Sequence, residues 1–442
     1  MPKVHQGIRK MKTYKHLYEP MLEDEAIVAC FHDAAKHKTQ RKDVRKVLDN
    51  LDENTRILKG ILEREEFLPS YHVPKIIRES SCKKERRIVK PNYKYEQVVG
   101  HCIIRQFKPV VLDGFYEFSC GSIPGRGCHS GKKWMRKWID SYEGKKIYVL
   151  KMDIRRFFDS IDRLILKQML ADKIKDDRFL RLVFELIEYD KIAEAIHILG
   201  ESRISISLEQ KKKLATMIAY DRTGEAVEYM RSFNLPKDVL KSLSDIVCEM
   251  RHGVPLGYYT SQWFGNFALK NMDHWIKQEL GAEHYMRYMD DMVILGRNKK
   301  KLHSYREQID EYLHHELHLQ LKDNWQIFRF EYATGAIGKN GKPVIAGRVL
   351  DFMGFQFHFN RTTLRKSTLR SARRKAKRIA RKQKISWYES TQMLSYMGSI
   401  DAADVYDYYE RHIKPFVNVK KLKKIVSKHS RRLKQNGNSM AA

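Results

Sequence analysis

Two adjacent carboxylates, Asp290 and Asp291, stand inside an otherwise apolar run, HYMRYMDDMVIL. An uncompensated charge in a low-dielectric interior is strongly disfavoured, so such a pair needs a turn that lifts it out of the sheet and a cation to meet it. A hairpin with the pair at its tip supplies the turn, and magnesium, which prefers hard oxygen ligands, is the natural cation. Alone, two aspartates in a turn are structural as often as catalytic. A third carboxylate changes the balance. In KIYVLKMDIRRFFDSID an apolar strand runs into Asp153, and Phe157 and Phe158 follow before a helix begins. If that strand neighbours the hairpin, Asp153, Asp290 and Asp291 converge at one edge of a sheet. That geometry holds two divalent ions about 4 Å apart, one lowering the pKa of an attacking 3′-hydroxyl and one neutralising a leaving pyrophosphate. Asp159 and Asp162, one turn further on, read as the polar face of the helix.

The elements that must position these groups follow from the apolar pattern. Residues 1–70 read as a helical entry segment, with apolar positions three and four apart in AIVACFHDAAKH and VRKVLDNLDENTRILKGILEREEF. From Tyr71 short β-type runs alternate with helical stretches, which predicts an α+β body with a small antiparallel sheet over 71–360. Asn340-Gly341 predicts a two-residue hairpin between its flanking runs. A helical stretch at about 190–247 separates two of the chemistry-bearing runs and reads as an inserted subdomain. Residues 361–434 are helical and very basic: 22 Lys and Arg against 5 Asp and Glu over 361–442, with aromatic residues at helical spacing to form a core. Residues 435–442 read as a disordered tail.

The formal charge of +31 disfavours a compact state unless something anionic binds, and nucleic acid is the partner it implies. No run of about 18 apolar residues spans a membrane and the first residues lack the apolar stretch of a signal peptide, so the expected setting is the cytoplasm without membrane contact. The six cysteines show no zinc spacing and are expected to stay reduced.

LKMDIRRFFDSID, GVPLGYYTSQWFGNFAL, YMDD and DFMGF, in this order between about Tyr71 and Pro415, resemble the reverse transcriptases of bacteria, the group that includes group II intron, retron, diversity-generating-retroelement and defence-associated enzymes. The resemblance implies a right-hand polymerase fold with fingers, palm and helical thumb, two Mg2+ ions (or Mn2+) and deoxynucleoside triphosphates as substrates. It implies metal ligation by Asp153, the backbone of Ile154, Asp290 and Asp291. Phe158, five residues after Asp153, matches the steric gate, a ring that leaves no room for a ribose 2′-hydroxyl. Lys84 and Arg86 in KKERRIVKP match the positions that hold the triphosphate through charge-assisted hydrogen bonds. Leu256, Gly257 and Gln262 lie in the motif that passes the incoming base, and Gly125, Arg126 and Gly127 in a glycine-rich turn before the first catalytic strand. Met353, Gly354 and Phe355 match the primer grip, and the basic helices after Arg361 match the thumb that clamps a duplex.

Leu256 stands where many relatives carry Gln, and Ser261-Gln262 replaces Ser-Pro. Both departures resemble diversity-generating-retroelement enzymes, whose copying errs opposite template adenines. The resemblance therefore implies cDNA synthesis from a dedicated structured noncoding RNA, a cDNA/RNA duplex as product, and either a small basic accessory protein or a homo-oligomer as partner. A phage-defence reverse transcriptase is the alternative role. The chain stops soon after the thumb, which speaks against autonomous intron mobility. Two other classes remain open: an RNA-copying RNA polymerase, opposed by Phe158, and an RNA-binding maturase or scaffold in which catalysis is dispensable, opposed by the intact aspartates.

Overall fold

The computed structural model describes residues 12–78, 85–142, 144–202, 204–339 and 341–438, with side chains as far as 431. Lys84, Cys82 and Asn340 lie outside these residues. The chain forms two compact units, one of Met1–Glu117, Asp153–Glu279 and Gln308–Asp323, the other of Phe118–Met152, Leu280–Glu307 and Asn324–Ala442.

The first unit is mainly helical. Helix Leu51–Glu63 is amphipathic and buries Leu58 and Leu62 on one face. Helix Val98–Leu112 is apolar nearly all round, and it packs against both Asp24–Ala35 and Tyr259–Ala268. Phe107 meets Phe264 and Phe267 edge-on, with ring centres 5.8 and 5.4 Å apart. A two-stranded ribbon, β1 (Lys75–Arg78) antiparallel to β2 (Glu85–Ile88), stands exposed on this unit. Helices Asp177–Ile187, Tyr189–Glu201, Leu208–Ala219, Thr223–Arg231 and Lys237–Cys248 pack on one another in sequence. The stretch at 190–247 is thus four helices of a five-helix bundle. A capping box joins Ser207 and Gln210 at the start of its third helix.

The second unit is built on four strands in the order β4-β5-β3-β6: β3 (Tyr148–Asp153, of which only the last residue belongs to the first unit), β4 (His284–Tyr288), β5 (Asp291–Gly296) and β6 (Gln326–Arg329). Val149, Leu150 and Met152 of β3 and Met292–Leu295 of β5 are buried. That is why these strands read as apolar runs rather than alternating ones. Helix Cys128–Ser141 covers the sheet through Met135, Trp138 and Ile139. The same core continues through Phe352, Phe355 and Phe357 to Ala372, Ala376, Met393, Met397 and Leu422 of the C-terminal helices.

Strands β7 (Tyr332–Ile337) and β8 (Pro343–Ala346) pair as the sequence predicts, while Asn340 of the expected turn lies outside the described residues. The Gly338 amide donates to the Lys342 carbonyl at 2.8 Å, and Gly341 is left-handed at φ 72°. Strands β9 (Leu350–Phe352), β10 (Phe355–Phe357) and β11 (Thr362–Leu364) form a small meander whose first turn, Met353-Gly354, has φ of 52° and 85°. The final helix, Val419–Asn438, runs past Gln435, so residues 435–438, expected to be disordered, complete its last turns.

Gly121 carries a specific packing constraint. A Cβ placed there would lie 2.6 Å from the backbone nitrogen and Cγ of Met289. Gly121→Ala is therefore expected to destabilise the second unit by about 1–3 kcal/mol, measured by chemical denaturation; unchanged stability would show that the turn at Met289 is free to shift.

Candidate active site

The β4–β5 hairpin pairs Tyr288 with Asp291, so its turn is the two residues Met289 and Asp290, and Asp291 is the first residue of β5. Met289 is left-handed at φ 57°, an unfavourable conformation for a non-glycine residue. Arg287, fully buried in β4, donates from Nη1 to the Met289 carbonyl at 2.9 Å and holds that conformation. β3 lies beside β5 in the sheet. Its Lys151 ammonium is 3.7 Å from Asp291 Oδ2 and donates to the Asp351 carbonyl at 2.6 Å.

Asp153 is the last residue of β3, and side chains two apart in a strand share a face, so it lies on the Lys151 side. Lys322 donates to the Asp153 carboxylate, and the Lys322 amide to the Asp153 carbonyl at 2.8 Å. Ile154 forms a bridge with Leu321, flanked by the Arg155 amide donating to the Gln320 carbonyl and the Asp153 carbonyl accepting from Lys322, which directs its own carbonyl away from that segment.

The donors suit a hard divalent cation. All three side chains are carboxylates, and two of them already draw an ammonium group as a stand-in cation, Lys322 at Asp153 and Lys151 near Asp291. Among the described residues, no three His, Cys, Asp or Glu side chains are gathered closely enough to form a metal cage.

In the first unit a cavity of about 650 Å³ is lined by Phe158 together with Arg87, Val89, Arg156, Asp159, Tyr189 and Leu256. Its floor is backbone: the Val254 amide donates to the Phe158 carbonyl at 2.8 Å and the Gly253 amide to the Ile161 carbonyl at 2.7 Å. Gly253, at φ 87°, sits where a Cβ would lie 2.7 Å from the Phe158 carbonyl. The residue next to Arg86 on β2 is the one that lines this cavity. Side chains alternate across a strand, so Arg86 and Arg87 face opposite ways, and nothing in a run of five charged residues reveals which way the strand faces. Arg156, left-handed at φ 44°, was also missed, as one basic residue among many.

Asp162 belongs neither to a helix face nor to the cavity. It caps helix Arg163–Lys173, accepting from the amides of Leu164 at 2.8 Å and Ile165 at 3.1 Å, and it pairs with His318.

Gly257 and Gln262 line a second, smaller cavity of about 240 Å³ with Lys38, Gln97, His101 and Tyr259, whereas Leu256 lines both. The close neighbour that Gly257 accommodates is protein rather than ligand. At φ 120°, a Cβ there would run into the Val89 carbonyl, while the Val89 amide donates to Leu256 at 2.8 Å. His101 stacks on Tyr259 at 4.2 Å.

In the second unit, Gly125 is left-handed at φ 76°, and the space where a Cβ would stand at Gly125 or Gly127 is open. The Met353 side chain fills the space beside Gly131. No described helix is long and apolar enough to cross a membrane.

No family model matches the sequence. A 97-residue stretch, 21% of the chain, is 31% identical to an uncharacterised 91 kDa protein in the cob intron of Schizosaccharomyces pombe, of which it spans 12%. Among solved structures, telomerase from Candida albicans with the TWJ fragment of telomeric RNA aligns over 83% of this chain and 58% of its own, at 11% identity and a TM-score of 0.35. Apo telomerase from Candida tropicalis aligns over 81% and 57%, at 10% identity and a TM-score of 0.38. The chain thus spans less than two thirds of the proteins it matches.

Burial holds the His101 imidazole down to about 4, with Lys38 pushing the same way and Asp33 opposing. The unfolded ring titrates near 6.5, so between pH 6.5 and 4 the unfolded state binds the extra proton. Stability contributed by the neutral ring is present above 6.5 and is lost as pH falls through that window. His101→Gln is expected to flatten this part of the stability profile, read by denaturant titration at pH 7, 5.5 and 4.5; an unchanged slope would assign the loss to other groups.

Proposed function

We propose that the chain is an RNA-directed DNA polymerase that extends a 3′-hydroxyl by nucleotidyl transfer. The observation that carries this reading is the sheet order: the strand ending in Asp153 lies next to the strand that opens with Asp291. The motif order in the sequence and the cavity at Phe158 support it. The residues that would hold magnesium are Asp153, Asp290 and Asp291 with the Ile154 carbonyl, and the bound ions would supply activation of the hydroxyl and charge neutralisation at the leaving pyrophosphate. The chain's own part is to receive and select the nucleotide. Phe158 and Leu256 would flank the sugar and base, and Arg87 and Arg156 would meet the triphosphate, the task first assigned to Lys84 and Arg86. The basic helices of the second unit suit the backbone of a template–product duplex, which binds by charge and shape without base readout.

For the biological role we favour a diversity-generating retroelement that copies a dedicated structured RNA, because of Leu256 and Gln262. Phage defence is the second role. Sequencing the cDNA that copurifies with the chain separates them: errors at template adenines support the first, whereas faithful or repetitive products made on infection support the second.

On a primed RNA template with deoxynucleotides and Mg2+, the purified chain is expected to extend the primer, and Asp290→Asn with Asp291→Asn to reduce extension to background. A double variant that keeps full activity would remove the catalytic reading. Phe158→Ala is expected to raise ribonucleotide use relative to deoxynucleotide use by about tenfold or more, read by single-nucleotide kinetics; unchanged discrimination would place the sugar elsewhere.

A further inference from the structure

The helical bundle at 189–248 is joined to the Phe158 cavity through a buried ionic hub. Arg163, only 4% exposed, opens the helix that follows the Phe158 loop. All three of its guanidinium nitrogens are engaged. Nε donates to the Gly253 carbonyl at 2.8 Å, Nη1 to Glu188 and Asp190 at 2.8 Å each, and Nη2 to the other Asp190 oxygen at 3.1 Å. Lys167, one turn on, donates to Glu188 at 3.0 Å, to the Ala219 carbonyl at 3.0 Å and to Asp221. At the far end of the bundle Arg251 reaches Asp190 at 3.6 Å and Glu194 at 2.8 Å. Arg163, Lys167 and Arg251, with Glu188, Asp190, Glu194 and Asp221, therefore fasten the first two turns of the bundle and the turn at Asp221 to the helix that Arg163 opens and to the loop at 249–254.

That loop is the one whose amides hold the carbonyls of Phe158 and Ile161. Tyr189, Asp190, Ala193 and Glu194 of the bundle line the same cavity as Phe158. Buried charges with this much desolvation persist only where geometry and partners are both satisfied, so a change at one carboxylate is transmitted to the backbone it shares.

We propose that the bundle is a working wall of the nucleotide cavity and that Arg163 is the positioning residue that couples it to Phe158. The identity of the ligand rests on the polymerase reading; the coupling does not. A bundle serving only to hold RNA or to build an oligomer would leave Phe158 indifferent to Asp190.

The experiment uses the full chain with Asp190→Asn, which leaves Glu188 on Arg163, and Arg163→Lys, which keeps the charge but cannot span three partners, each checked for folding by circular dichroism. Glu228→Gln, in an exposed pair with Arg231, is the control. Hydrogen exchange at Gly253 and Val254 is expected to rise in both variants and not in the control. On a primed RNA template the deoxynucleotide KM is expected to rise about tenfold with kcat within about threefold, and discrimination against ribonucleotides to fall. If the unsubstituted chain fails to polymerise while exchange at 253–254 still rises, the coupling stands and the polymerase reading fails. If the chain polymerises and both folded variants keep wild-type exchange, KM and discrimination, the coupling is overturned.

Discussion

A carboxylate at the end of an apolar strand is tolerable only where positive charge meets it, and much of this chain is arranged around that requirement. Asp153 closes a strand whose other residues include the buried Val149, Leu150 and Met152, and its carboxylate takes the Lys322 ammonium. Asp291 opens a strand of four buried apolar residues and has Lys151 at 3.7 Å. Both carboxylates stand at strand ends beside buried apolar residues, with side chains 33% and 24% exposed, and a nearby cation offsets the cost of that partial desolvation.

The same constraint recurs in the first unit in another form. Arg163, Lys167, Glu188 and Asp190 form a buried cluster of close ion pairs, so burial is opposed there by near partners. Desolvation raises the Asp190 carboxyl, yet Arg163 outweighs it and holds the group below its ordinary range. Burial likewise lowers the Arg163 guanidinium, and Asp190 with Glu188 more than reverses this. The effect is specificity of geometry rather than large stability, since a well-packed apolar cluster would be at least as stable. Backbone conformation does similar work at the second unit's hairpin, where the left-handed Met289 persists because the buried Arg287 holds its carbonyl and Gly121 leaves it room.

Charge divides along the chain to match. The positive excess gathers in helices such as Lys366–Ala380, whose buried face is Ala372, Ala376 and Ile379 and whose remaining surface is lysine and arginine. The cavity at Phe158 instead mixes Arg87 and Arg156 with Asp159, Asp190 and Glu194. Extended cationic surface suits a polyanion held along its length, whereas mixed charge in a concavity suits a small ligand held in one orientation.

By itself the sequence determined what depends on local pattern. The apolar run into Asp153, the two aspartates at a hairpin and the helical character of 190–247 each follow from periodicity or turn chemistry within about ten residues. What only the tertiary structure decided depends on which face an element presents and which distant segment it meets. Arg87 rather than Arg86 lines the cavity because β2 faces that way. Asp162 caps a helix because the chain turns just before it. Gly257 is required by the Val89 backbone, 168 positions away in sequence, and Gln262 lies in a different cavity from Phe158. The bundle's role at that cavity was illegible for the same reason: Arg163, Asp190 and Gly253 are ordinary residues in sequence, and only their convergence in space, where water is excluded and each hydrogen bond must be met, makes them a unit.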